Sequence, residues 1–173
     1  QNRLMQVLMA DPTHPAALSV MLEILTELEK AEMARGLLQQ AQKYRDQSIW
    51  FQREEDLLAL KVAIVEARAE MNRGRIVEAR RILEEVSETR AGEDPRAWML
   101  IGEQWLLWSQ ARRAQEAFAK ARALDPLTSA AWKGEAMALE AMGMGRDVEQ
   151  ILREGWDSSG DATLGSSLAR YLA

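Results

Sequence analysis

Between Pro95 and Pro126 the chain carries Trp98, Ile101, Gly102, Trp105, Ala114, Phe118 and Ala121 in a fixed succession that admits few folds. Large apolar residues at 98, 101, 105 and 108 recur at steps of three and four, which places them on one face of a helix. Asp94 is a favourable N-cap, and Pro95 suits the first helical turn, where a missing N–H costs nothing. The opposite side is apolar as well, with Met99, Leu100, Leu106 and Leu107 around Glu103 and Gln104. A helix apolar nearly all round is either enclosed or lines a binding surface. Ser109 and Gln110 are expected to form a short turn into a second helix, from Ala111 to Leu124. Its inner stripe would be Ala114, Ala117, Phe118, Ala121 and Leu124, with Arg112, Arg113, Lys120 and Arg122 in water. Alanines on such a stripe let two helix axes approach toward the short end of the usual range of roughly 8–10 Å.

This spacing, W-x2-I-G-x2-W, then A-x3-F, then a closing proline, resembles the tetratricopeptide repeat, a helix-turn-helix unit of about 34 residues. Trp105 stands where the pattern has Tyr, and Ile101 where it has Leu. The resemblance implies an all-α fold, a right-handed α-solenoid of antiparallel helix pairs, and a role in holding another protein.

Other stretches fit the same unit less closely. Residues 2–10 end at Asp11-Pro12 as the unit above ends at Asp125-Pro126, so 1–12 reads as the second helix of a truncated repeat or as a native cap helix. Residues 15–48 form a degenerate repeat, with Leu18, Met21, Leu22 and Leu25 on its first helix, a turn near Glu29 and Lys30, and Ala34, Leu38 and Ala41 on its second. The register then breaks. No proline or glycine interrupts the residues from Ile49 to Asn72, which predicts a first helix extended at its N-terminal end and projecting beyond its neighbours, in a repeat spanning 49–94. Trp50 and Phe51 at its start are either a staple against the preceding helix or an exposed partner anchor. Gly74 marks a tight turn, and Ala79, Leu83 and Val86 line the next helix. The repeat at 95–128 is followed by one at 129–160, where Trp132 repeats Trp98, Ala136 repeats Gly102, Val148 repeats Ala114 and Leu152 repeats Phe118. Leu164, Leu168 and Leu172 mark a capping helix over 161–173.

Composition narrows the function classes. A formal net charge of −5 argues against a general nucleic-acid or anionic-membrane surface. With no cysteine, disulfides and thiolate chemistry are excluded, but cytoplasm and periplasm are not distinguished. No apolar run reaches the roughly 18 residues needed to cross a bilayer, so a membrane anchor or export signal would lie outside this chain.

The residues give little purchase for chemistry. The one histidine, His14, lies between two prolines, and no second histidine or cysteine accompanies it for a zinc site or a nucleophile–base pair. Gly143-Met-Gly145 is expected to be a helix–helix turn, since no strand precedes it and Val148 stands where a phosphate loop needs glycine. The runs Glu54-Glu55-Asp56 and Glu84-Glu85 are expected on solvated helix faces. No enzyme activity and no cofactor are expected.

In the family the chain resembles, first helices line a concave groove. That implies a groove apolar at its centre through Ile64, Met71, Met99, Leu106, Leu107 and Met137, and charged at intervals by Arg68, Glu103, Lys133 and Glu140. It would suit an apolar or amphipathic segment of a partner protein, with methionine adapting to its shape. One subgroup of the family grips the terminal carboxylate of chaperone tails. Here the matching faces carry Ser19, Glu23, Ile64, Arg68, Met99 and Glu103, so that clamp is not expected. The resemblance implies a scaffold in a multi-protein assembly, and the alanine-, arginine- and glutamate-rich helices suggest a bacterial source, where exopolysaccharide secretion, pilus biogenesis and cytochrome maturation use such proteins. A self-associating array, and a regulatory arm of a larger enzyme or transcription regulator, are the alternatives.

Overall fold

The computed structural model describes residues 2–28 and 30–172. Among them the chain is all α, with ten α-helices and no strand, and it divides into two compact units, Gln1–Gly92 and Glu93–Ala173. The first unit contains α1 (Asn2–Ala10), α2 (Pro15–Glu27), α3 (Ala31–Gln42), a 3-10 turn (Arg45–Gln47), α4 (Ile49–Asn72) and α5 (Ile76–Arg90). The second contains α6 (Pro95–Leu107), α7 (Ala111–Leu124), α8 (Ser129–Ala141), α9 (Gly145–Ser159) and α10 (Ala162–Leu172).

Four helix pairs, α2/α3, α4/α5, α6/α7 and α8/α9, are closed by one and the same turn. The residue that opens each second helix, Lys30, Arg75, Gln110 or Met144, has φ between −98° and −87° and ψ between 61° and 65°. Its N–H reaches back five residues, Lys30 to Leu25, Arg75 to Glu70, Gln110 to Trp105 and Met144 to Leu139, at 2.8–3.0 Å. Together with the bonds from Gly74 to Met71, Ser109 to Leu106 and Gly143 to Glu140, each 2.9 Å, this is a Schellman closure, which needs a left-handed residue just past the helix end. Gly74, Ser109 and Gly143 supply it, with φ of 78°, 57° and 73°. Glu29, expected at the α2/α3 turn, lies outside the described residues.

The first helices start differently, on polar side chains at or just before their N-termini. Asp94 accepts from the Arg96 N–H at 2.9 Å at the start of α6, and Asp161 from the Thr163 N–H at 2.8 Å before α10. Asp11 and Asp125 accept from the N–H groups of Thr13 and Leu127 at 3.0 and 3.1 Å, which bends the chain toward α2 and α8. His14 caps α2, its Nδ1 accepting from Ala17 N–H at 3.3 Å, and Ser48 caps α4 through the Phe51 N–H at 3.2 Å. The bonds to Arg96, Thr163, Ala17 and Phe51 satisfy amides that a helix start otherwise leaves without partners.

In the first unit, α4 packs against α2, α3 and α5, and residues buried on all its sides, among them Leu57, Leu60 and Val65, explain its lack of a polar face. The start of α4 does not project. Phe51 is wholly buried with Leu38, Leu58 and Val62 and is a packing residue, while the half-buried Trp50 packs partly on the same cluster. Arg45 of the 3-10 turn holds Glu55 at 2.6 Å.

In the second unit, α7 packs between α6 and α8, and Phe118 sets how closely they meet. Its ring fills the space above Gly102 and Gly134, where an added Cβ would come within 2.9 and 2.4 Å of it. Trp132 similarly occupies the space over Gly155. Leu164 and Leu168 of α10 complete a core with Trp132, Leu139, Val148 and Leu152, whereas Leu172, expected on the same stripe, is exposed.

Of the charges expected in water, Arg112, Arg113, Lys120, Asp56 and Glu85 are exposed and Arg122, Glu54, Glu55 and Glu84 are half-buried, and several also have partners within the fold. Of the cations assigned to water on α7, Lys120 lies 4.0 Å from the centre of the Trp98 ring, Arg122 4.5 Å from that of Trp132 and Arg113 4.7 Å from that of Trp105. The ring faces attract these cations while their aliphatic stems cover the indoles. The acidic runs are likewise engaged, Glu55 with Arg45, Asp56 with Arg90 at 2.6 Å, and Glu85 with Arg81 at 3.2 Å.

Candidate partner-binding surface

Within the second unit α6 contacts α8 and α8 contacts α10, while α7 packs against α6 and α8, and α9 against α8 and α10. The outer stripe of α8 is Lys133, Met137 and Glu140, at steps of four and three, and all three are exposed. On α6, Glu103 and Leu107 are exposed one turn apart, and Met99 and Leu106 are half-buried. Leu107 at 64% and Met137 at 51% exposure are large apolar side chains left in water beside charged ones. Five residues of the expected groove, Glu103, Leu107, Lys133, Met137 and Glu140, are therefore exposed on two neighbouring helices, and the half-buried Met99 and Leu106 border them.

Expected groove residues of the first unit fare differently. Ile64 is buried at 5% exposure and is a packing residue, because α4 is enclosed at that level. Arg68 and Met71 are half-buried on α4.

Residues of α10 were not anticipated. Lys133, Met137 and Glu140 of α8 share a notch of about 370 Å³ with Arg170 and Tyr171 of α10 and with Val148 and Leu152 of α9. The leucine spacing of α10 reads as a cap and gives no sign that its C-terminal turn carries a cation and an aromatic to the edge of α8.

Two larger clefts lie on the second-helix side, and their charges are spent internally. The cleft of about 990 Å³ between α3, α4 and α5 is lined by arginines that already hold carboxylates: Arg35 with Glu66 at 2.7 Å, Arg73 and Arg75 with Glu70, and Arg81 with Glu78 at 2.6 Å. The hydrogen bond and charge of Glu66 raise the Arg35 pKa further above its ordinary value. In the cleft of about 560 Å³ between α7, α8 and α9, the buried Glu135 accepts from Arg122 Nε at 2.8 Å and from Gln115 Nε2 at 2.7 Å. Both carboxylate oxygens are engaged, so Glu135 ties α7 to α8.

Among the described residues no helix is long and apolar enough to cross a membrane. No model of a known protein family matches the chain, and no curated protein matches it.

Proposed function

We propose that this chain is a non-catalytic protein–protein interaction scaffold of the tetratricopeptide type, a right-handed α-solenoid with repeats at 15–48, 49–94, 95–128 and 129–160. It binds an apolar or amphipathic segment of a partner protein on the exposed face of its first helices. The observation that carries this reading is the recurrence of one Schellman turn at Arg75, Gln110 and Met144, spaced at the period of the repeat the sequence resembles. The same turn at Lys30 comes eleven residues earlier than that period requires, which matches the length added at the start of α4. Exposure of Leu107 and Met137 on α6 and α8 supports a binding role for that face. On the resemblance, and on helices rich in alanine, arginine and glutamate, the proposed setting is a bacterial multi-protein assembly, exopolysaccharide secretion or another envelope system.

Affinity capture from source-cell lysate tests the reading, comparing the natural chain with Leu107→Glu/Met137→Glu. Both side chains are largely in water, so the variant keeps its helicity and thermal midpoint. A protein retained by the natural chain and lost by the folded variant is the expected result. Equal retention by both would remove the site from the α6/α8 face.

A further inference from the structure

The notch between α8, α9 and α10 differs from the other clefts in how its charges are used. Its floor is Ala136, Val148 and Leu152, all buried, and Met137 forms an exposed, adaptable wall. A volume of about 370 Å³ is near the lower end for ligand pockets, which suits one bulky side chain and not a whole segment. Lys133 and Arg170 stand at its rim, and among the described residues neither meets a carboxylate. The arginines of the α3/α4/α5 cleft and of Glu135 are, by contrast, paired within the fold. Glu140 is the one acid lining the notch, against these two cations. Tyr171 closes its end, its hydroxyl lying where a Cβ on Gly145 would come within 2.5 Å.

We propose that this notch is the anchor pocket of the partner-binding face and takes a bulky apolar side chain of a partner segment that carries a carboxylate one helical turn away. The inference rests on the reading of that face as a binding surface, and it makes α10 part of the site as well as a cap. The apolar side chain packs over this floor and covers the exposed side of Met137, and the carboxylate meets Lys133 and Arg170. A charge pair beside a partly dry floor is screened less than one in open water. The whole chain has a formal net charge of −5, so long-range attraction does not recruit an acidic segment; the two cations act locally, setting its register.

The test uses the full chain and labelled, amidated helical peptides of about 15 residues, free of a terminal carboxylate. One carries Leu with Glu four residues on, a second has Lys in place of that Glu, and a third has Ala in place of the Leu. Fluorescence anisotropy should show the Leu/Glu peptide binding about tenfold more tightly than either companion. Lys133→Glu/Arg170→Glu, with unchanged circular dichroism, should invert the preference toward the Lys peptide. Equal binding of the Glu and Lys peptides, a preference that survives the charge reversal, or no binding up to about 1 mM would overturn the proposal. In the last case, a lysate partner still lost on Leu107→Glu/Met137→Glu would leave the binding face standing without this anchor. Peptide discrimination with no such partner would count against the face and not the notch.

Discussion

The ring of Phe118 stands where a side chain on Gly134 would have to be, since a Cβ there would come within 2.4 Å of it. That contact lets α7 and α8 close on each other and fixes the rotation at which α8 presents Lys133, Met137 and Glu140. Gly134→Ala forces the ring or the helix to move, and overpacking of this kind costs about 1–3 kcal/mol. Urea unfolding should show that loss, and Phe118→Leu in the same chain should recover part of it. If Gly134→Ala is as stable as the natural chain, the contact does not set the packing.

Glu135 is 2% exposed and depends on Arg122 for its countercharge. Arg122→Ala leaves a buried carboxylate with Gln115 alone and uncovers Trp132, a loss of about 3–5 kcal/mol. The pair Arg122→Met/Glu135→Met removes both charges and should be clearly more stable than Arg122→Ala. Thermal denaturation of the two variants side by side checks this.

The αL position of the α6/α7 turn is filled by Ser109 at φ 57°, where the corresponding turns have Gly74 and Gly143. A residue with a Cβ pays in strain there, so Ser109→Gly should gain up to about 1 kcal/mol in chemical unfolding. Destabilisation would mean that the hydroxyl has a role beyond the turn.

Acid sensitivity follows from the helix starts. Burial alone would raise the pKa of Asp94, but the side-chain and backbone bonds from Arg96, with its charge, outweigh that and hold the carboxyl below its ordinary range. For Asp161 the lowering comes first from a Ser129 hydrogen bond and then from the Thr163 N–H. A carboxyl with a lowered folded pKa binds fewer protons in the native state than in the unfolded one. Its contribution is therefore complete above about pH 4 and is lost as pH falls through the folded value. Asp94→Asn, which keeps a capping oxygen, should flatten the fall in thermal midpoint below about pH 4, whereas Asp94→Ala should cost about 1 kcal/mol at pH 7. An unchanged acid limb in Asp94→Asn would rule out this origin.

Much of the helical pattern was legible because each boundary has a local chemical cause. Asp94-Pro95, Gly74 and Gly143 punctuate the chain, and steps of three and four mark the buried stripes. Tertiary placement was less legible. Phe51 and Ile64 carry the same apolar signal whether they face a partner or the core, and only the enclosure of α4 decides. Arg122 and Glu135 lie on different helices, so no spacing announces their pairing, and none announces that Lys120, Arg113 and Arg122 of α7 lie over the rings of Trp98, Trp105 and Trp132. Arg170 and Tyr171 were missed because a leucine repeat describes only the buried side of α10.

Site-specific photo-cross-linking in the source cells tests the binding face most directly. A benzophenone side chain is placed at Leu107 or Met137, and for comparison at Glu116 of α7 or Gln150 of α9, which are also exposed. If a partner lies along the first helices, positions 107 and 137 yield the same cross-linked protein, and positions 116 and 150 do not. Cross-links from 116 and 150 with none from 107 and 137 would contradict a binding site on α6 and α8.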